Sequence, residues 1–399
     1  MNRLTSIGGQ LALAYGKSLP AQLRVTGTVP VFGSNGIVGY HEEKCVSGPG
    51  IIVGRKGSVG EVLYCEGDFW PIDTTYYVVN SKGHQWRYLF YMLKHAGLTK
   101  LNSHSAVPGL NREDAYATEA WFPDEKNQQK VAAILDQITA SIDLEMTALK
   151  NVSLIKNTTM KDLFTRGLRG EAQKETEIGL VPESWASVQL GQVCALSTGT
   201  TPATKNKDYY EGDIPFIKTG DVTNNRITSA NAFLSQQAVD DYSLRLFPPG
   251  TILMAMYGQG KTRGQVALLG IAATTTQNAG AIQPSSEMDS AFLWHYLRSC
   301  YERLRGMGSL GHVSHLNLGY LRDLLVVKPS LNEQREISVI LDALDQKITL
   351  HQQKKSVLDE LFRSLLNKLM TGELSVDELD LSALRDKEPQ PKTEAEVQS

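Results

Sequence analysis

Cysteine is scarce in this sequence: Cys45, Cys65, Cys194 and Cys300 stand far apart, and no two form a C-x-x-C pair. That spacing argues against a zinc ribbon or a disulfide framework and fits a reducing compartment, so a cytoplasmic setting is expected. Long apolar runs are missing too. No stretch approaches the roughly 18 residues that a bilayer crossing requires. The opening, MNRLTSIGGQLALAYG, has no cationic lead followed by an apolar block, so no secretory signal is expected. Charge of one sign is also lacking, with a formal net charge of −3. The last stretch, residues 376–399, holds seven acidic against three basic residues, which leaves the rest of the chain close to neutral. Nucleic-acid binding needs a local basic face rather than a basic total, so this balance does not decide the matter.

Catalytic constellations are absent as well. There is no H-E-x-x-H, no carboxylate cluster beside a lysine, no Asp/Asn-Pro-Pro-Tyr and no glycine loop of the S-adenosylmethionine type. The eight histidines lie apart. A chain that is not an enzyme, with no metal or cofactor of its own, is expected.

What is present is a repeat. AAILDQI at 132–138 returns as SVILDAL at 338–344, an offset of 206. The same offset pairs Pro123 with Pro329, Gln128 with Gln334, Asp136 with Asp342 and Leu110-Asn111 with Leu316-Asn317. Continued backwards, it pairs Trp86, Tyr88 and Phe90 with Phe292, Trp294 and Tyr296. Further upstream the match loosens: GPGIIV (48–53) lies over PPGTIL (248–253), GEV (60–62) over GQV (264–266), GTVPVF (27–32) over GDIPFI (212–217), and Gly16 over Gly199. Two copies of a roughly 200-residue unit follow one another, alike at the back and divergent at the front.

The similar parts are helical. Val131, Leu135, Ile138 and Ile142, and again Ile337, Leu341, Leu344 and Ile348, keep three-to-four spacing. Each run lasts about 40 residues, which at 1.5 Å per residue makes a rod of about 60 Å. The fronts are short β-like runs separated by Gly, Pro, Asn and Asp. The expected class is α+β: two β-rich mixed globules joined by two long antiparallel helices, with a pseudo-two-fold internal repeat. The boundaries read 1–122 for the first globule, 123–170 for the first helix, 171–182 for a linker, 183–328 for the second globule, 329–375 for the second helix and 376–399 for an acidic tail. The segment after Leu374 is expected to supply a lead-in to the first globule, matching VPESWASVQLG (181–191) before the second.

VPVFGSNGIVGYHE (29–42), GPGIIVGRKGSVGEVLY (48–64) and FWPIDTTYYVV (69–79), together with the helix start EQREISVILDALDQKI (333–348), resemble the specificity subunits of type I restriction–modification systems. The resemblance covers nearly the whole chain. It implies a non-catalytic reader of double-stranded DNA. Two target-recognition domains would each read one half of a split, asymmetric site. The two helices would set the unspecified spacer and dock two modification (methyltransferase) subunits, with restriction (motor-nuclease) subunits joining them. S-adenosylmethionine, ATP and Mg are then expected on the partners rather than here.

Base readers should be loop residues with planar or bidentate groups. The first globule offers Lys17, Ser34, Asn35, Arg55, Lys56, Ser58, Tyr76, Ser103 and His104. The second offers Lys218, Thr219, Tyr257, Gln259, Lys261, Arg263, Gln277, Asn278, Ser309, His312 and His315. Gln128, Lys130, Gln334 and Glu336 are expected on exposed, partner-docking faces of the helices, and Asp136 and Asp342 are expected to face solvent or a partner. An alternative is a nucleotide-binding enzyme built on AMYGQGKT (255–262), which satisfies the loose phosphate-loop pattern. A strand–turn–strand presenting Lys261 and Arg263 to a phosphate backbone fits the sequel RGQVALLG better. On the DNA reading, Lys261→Ala lowers affinity and flattens the log–log salt dependence by about one unit. An unchanged slope removes Lys261 from the contacts.

Overall fold

Two helices of about forty residues, Glu125–Arg166 and Leu331–Thr371, account for the two periodic stretches. The structure, a computed structural model, describes residues 4–101, 109–257, 261–307 and 316–376. The chain divides into two compact units, one made of residues up to 147 together with those from 352 onward, the other of residues 148–351. The division falls within both long helices, so each unit owns one globular head and a segment of each helix.

In the first unit, strands Ala12–Tyr15, Thr75–Val79, Gly50–Gly54 and Val62–Cys65 form an antiparallel sheet in that spatial order. A three-stranded sheet carries Gly36–His41, Val29–Gly33 and Trp70–Pro71. Leu4–Ser6 pairs with Glu119–Trp121. The second unit repeats this plan. Cys194–Thr198, Ala279–Pro284, Ile252–Ala255 and Val266–Leu269 make the main sheet, extended by Arg226–Ile227. Phe233–Leu234, Ile214–Ile217 and Thr274–Thr275 make the small one, and Ala186–Gln189 pairs with Leu325–Lys328. Gly16 and Gly199 occupy one place in this plan. A Cβ there would lie 2.1 Å from the Ile72 carbonyl oxygen in one head and 1.8 Å from that of Thr275 in the other, so only glycine fits.

The ladders shift two of the expected correspondences. Ile52 opposes Tyr77 and sits in the core between the sheets, as Leu253 does opposite Ala281; Ile51 and Ile252 face the helices. GPGIIV and PPGTIL therefore correspond one residue out of the alignment given above, and a one-residue slip exchanges the two faces of a strand. The short helices Trp86–His95 and Ser290–Ser299 align by their caps, Gln85 and Asp289, whose side chains accept from Tyr88 N and Phe292 N. Tyr88 thus matches Phe292, Phe90 matches Trp294, and Tyr91 matches His295. The connection from this helix to Leu110 is two residues shorter than the one to Leu316.

Within each unit the helix segments run antiparallel. In the first, Val131, Ile134 and Leu135 share a core with Leu369 and Met370, while Glu145 bonds to Lys354. In the second, Leu163 and Phe164 share a core with Ile337 and Leu341, while Lys156 bonds to Asp345. Fully burying one such apolar side chain contributes roughly 1.5–3 kcal/mol. Val376 is buried in the first unit's core beside Met370, so the chain just past Leu374 packs on the first head; residues 377–399 lie outside the described residues.

Each head is fastened to its long helix by one recurring joint. Gln128 and Gln334 are 2% and 0% exposed, so they are not the docking surface expected of them. Their side-chain oxygens accept from Gln85 N at 2.9 Å and Asp289 N at 2.7 Å, and their amides donate to the Pro123 and Pro329 carbonyls at 2.8 and 2.9 Å. Two turns on, Asp136 and Asp342 are half-buried and turn toward the head. Asp136 accepts from Arg87 and, at 2.6 Å, from the Tyr91 hydroxyl. Asp342 accepts from Arg226 at 2.6 Å and from His295 Nε2 at 2.8 Å. Asp345 adds Arg298 at 2.6 Å. The cations in turn flank rings: Arg87 and Lys94 lie 5.3 and 4.8 Å from the Phe90 ring, Arg226 and Arg298 5.0 and 4.4 Å from the Trp294 ring.

Burial, reinforced by the Arg298 guanidinium, holds the His295 imidazole below its ordinary value against the pull of Asp342. Burial works to raise the Asp342 and Asp345 carboxyls, but their cationic and hydrogen-bonding partners outweigh it and hold both below the usual range. All three groups therefore bind protons more weakly folded than unfolded, and stability is lost as pH falls. His295 acts first, from about pH 6.5 downward, and the carboxylates act below about pH 4. Hydrogen-exchange protection of helix Ser290–Ser299 is expected to fall between pH 7 and 5, and His295→Gln to abolish that first stage while leaving the acid one. An unchanged pH profile in the variant contradicts this. Gln128→Ala and Gln334→Ala each leave a partly buried backbone N–H without its partner and are expected to cost about 1–3 kcal/mol, read as a lowered urea midpoint.

Candidate nucleic-acid interface

In the first head, the segment Pro71–Thr75 gathers the loops around it. Lys17 N donates to the Pro71 carbonyl at 2.9 Å, and Arg55 N and Lys56 N both donate to that of Thr74, at 2.9 and 3.1 Å. The Arg55 side chain adds two bonds to the Asp73 carbonyl. The turn Arg55–Gly60 closes tightly because Gly57 and Gly60 take φ of +80° and +75°, and Ser58 N reaches the Ser34 hydroxyl at 3.4 Å. Asn35 is exposed at the adjoining hairpin tip. Ser34, Asn35, Arg55, Lys56 and Ser58 therefore share one edge. Lys17 flanks it, its ammonium 5.5 Å from the Trp70 ring. Lys17 and Lys56 are exposed.

Tyr76 does not belong to that surface. It is 3% exposed, and its hydroxyl donates to the Leu110 carbonyl at 3.2 Å. Burial, with Tyr15 adjacent, pushes its phenol up to about 12. The strand alternation points this side chain into the core, which corrects its assignment as a reader. Ser103 and His104 lie outside the described residues.

In the second head, the equivalent segment Thr274–Asn278 does the gathering. The Thr219 and Thr276 hydroxyls are 3.0 Å apart, and the Thr201 hydroxyl donates to the Gln277 side-chain oxygen at 2.5 Å. Met256 N donates to the Asn278 carbonyl at 3.0 Å, which brings Tyr257, 39% exposed, beside the group. Lys218 is exposed, with its own N–H held by the Asp221 carboxylate at 2.9 Å. Lys261 is exposed, while its carbonyl accepts from the Tyr301 hydroxyl at 2.6 Å. Arg263 is half-buried and donates to the Arg305 carbonyl at 3.0 Å, tying the turn to helix Tyr301–Met307 rather than offering a free fork. Gln259, Ser309, His312 and His315 lie outside the described residues.

The nucleotide-binding alternative fails on local geometry. Residues 258–260 are not described, but Ile252–Ala255 and Val266–Leu269 on either side pair antiparallel, and Gly264 N already bonds to Ala255 O. A phosphate loop must open a helix whose N-terminal amides meet the phosphates, and a strand follows here. Among the described residues no group of His, Cys, Asp and Glu is placed to hold a metal ion, and no helix is long and apolar enough to cross a membrane.

Of the residues named for the helices, Lys130 is half-buried and Glu336 is exposed, the latter bonded through both carboxylate oxygens to Arg169 at 2.8 Å. Sequence reasoning did not single out Tyr15, Thr201 or Thr276, nor Arg112, the first residue of helix Arg112–Ala117, whose guanidinium lies 5.4 Å from the Tyr15 ring. The threonines stand in Thr-rich loops, STGTTPAT and ATTTQ, which was a usable signal. Tyr15 shares the parity of buried Leu11 and Leu13 yet is 54% exposed, so alternation points the wrong way.

A family model described as type I restriction modification DNA specificity domain matches residues 8–153 and 182–360. The chain is similar to the type I restriction enzyme MjaIX specificity subunit of Methanocaldococcus jannaschii, 29% identical over 205 residues, or 50% of this chain and 47% of that one. The chain thus spans about half the length of that relative. It is also similar to the putative specificity subunit S.HindORF215P of Haemophilus influenzae, 23% identical over 82% of this chain and 83% of that one. Among solved structures, the S subunit of a type I restriction–modification system from M. genitalium shares the fold, with a TM-score of 0.67 at 16% identity, covering 92% of this chain and 96% of that one.

Proposed function

Because the chain belongs to the family of type I restriction–modification DNA specificity proteins, we propose that it is the DNA-reading subunit of such a complex. Each head takes one half of a split site, and because the heads differ the two halves differ. The single observation that supports this reading is the doubled plan itself: two heads, each joined by the same kind of Gln–Asp joint to its own long helix, with unlike residues gathered at the equivalent edges. Protein pseudo-symmetry of this kind is mirrored in a bipartite target whose spacing follows from rigid geometry.

The helices set the unspecified gap, and they carry the docking surfaces for two methyltransferase subunits, with motor-nuclease subunits completing the complex. Methyl transfer, with its S-adenosylmethionine, belongs to those partners, as do ATP and Mg. The buried Gln128 and Gln334 cannot serve as contacts, so docking falls to exposed positions such as Glu336 and Val339. Lys17, Lys56 and Lys218, all exposed, suit contacts to phosphates, which orient without specifying.

Co-expression with a type I methyltransferase partner, followed by mapping of methylated positions, tests the proposal. The expected result is two unlike half-sites a fixed distance apart. Exchanging only the second head for another is expected to change one half-site and leave the other. A palindromic site, or methylation independent of this chain, contradicts it.

A further inference from the structure

One edge of the first head holds two guanidiniums against a single exposed ring. Tyr15 ends its strand with 54% of its surface in solvent. The Arg55 and Arg112 guanidinium carbons lie 5.3 and 5.4 Å from its ring centroid. The ring is backed by Tyr76, with centroids 5.1 Å apart, and Tyr76 is itself anchored on the Leu110 carbonyl. Arg55 is fixed further by Nε and Nη2, which donate to the Asp73 carbonyl at 3.2 and 2.8 Å. Arg112 Nε is buried without a hydrogen-bond partner, while the side chain as a whole is 38% exposed.

Three other stacked arginines close on carboxylates: Arg87 on Asp136, Arg226 on Asp342 and Arg298 on Asp345; among the described residues Arg245, 5.4 Å from the Phe247 ring, does not. Among the described residues Arg55 has no such partner, and Arg112 has only Glu113 at 3.8 Å, on a side chain 75% exposed. Arg55 is thus held in one plane by its two bonds to Asp73, and Arg112 lies 5.4 and 5.8 Å from the Tyr15 and Tyr116 rings, with neither closed on by a tight carboxylate. A phosphate does not need a fixed plane, and a flexible lysine serves it well. A base edge does need one, because both donors must lie in the plane of the base. Lys17 and Lys56, exposed on the same edge, are of the first kind. Arg112 is of the second. The equivalent positions in the second head are Thr198, Met256 and Leu318, which carry no charge.

We infer that Arg112, with Tyr15 and Arg55 as positioning residues, reads the O6 and N7 acceptors of a guanine in the half-site taken by the first head. This rests on the DNA-reading role proposed above and assigns one base contact within it. The test uses the full chain and a randomised duplex library, with the enriched site then resynthesised carrying 7-deazaguanine at each guanine in turn.

Wild type is expected to lose about tenfold or more in affinity at one 7-deazaguanine. Arg112→Lys, which keeps the charge and removes the planar fork, is expected to lose the guanine preference at that position alone, with its salt slope nearly unchanged. Arg55→Lys is expected to weaken the same preference. If Arg112→Lys retains the guanine column, or loses affinity equally for all sequences as a phosphate contact would, the assignment is wrong and the DNA-reading role stands. If wild type enriches no sequence, both fall together.

Discussion

The structure depends on how a globular head is held to a long helix, and in both units this is done by the same buried polar joint. A helix of forty residues offers a head only a stripe of side chains, and apolar contacts along such a stripe tolerate sliding and rotation. The inward amides of Gln128 and Gln334 do not tolerate either, because each must meet one backbone N–H and one proline carbonyl. Asp136 and Asp342 add a charged clamp, set against cations stacked on Phe90 and Trp294. Buried polar groups are costly when unpaired, so any displaced arrangement is penalised and one register is selected. On the proposed DNA-reading role, a head that presents loops to a duplex needs that selection.

Beyond the joint the two heads share a frame and differ in chemistry. The segments Pro71–Thr75 and Thr274–Asn278 hold equivalent places, and each draws in the loops that face outward. In the first head a loop arginine, Arg55, and a helix arginine, Arg112, meet a tyrosine. In the second the loops bring threonine hydroxyls onto an amide. Ring-stacked guanidiniums and hydroxyl–amide networks suit different base edges, which is why the proposed reading gives the two heads unlike half-sites.

Much of this was legible in the sequence because it rests on periodicity. The 206-residue offset, the two rods and the β-rich fronts follow from patterns that survive without side-chain detail. What was not legible depends on tertiary closure. Gln128 and Asp136 are polar residues on an amphipathic helix, and local pattern places such residues in solvent; only the head packed on them turns them inward. The one-residue slip at Ile51–Ile52 and the two-residue slip at the short helices arise where loops differ in length, which an ungapped comparison hides. Tyr15 is exposed against its strand's alternation, and Arg112, next to a helix cap, has no neighbour in sequence that hints at Tyr15. The phosphate-loop pattern at 255–262 misled in the other direction: its residues match, and the strand that follows removes its meaning.

The central claim is that the paired helices set the distance between two head-specific half-sites. The most direct measurement inserts one heptad into each helix, between Thr147 and Ala148 and between His351 and Gln352, where the chain passes from one unit to the other. Seven residues add about 10 Å to a helix, comparable to about three base pairs of duplex, and a heptad keeps the facing stripes aligned. The account predicts that the mapped target keeps both half-sites and lengthens its unspecified gap by about that amount. A gap of unchanged length, or half-sites that change with it, would contradict the account.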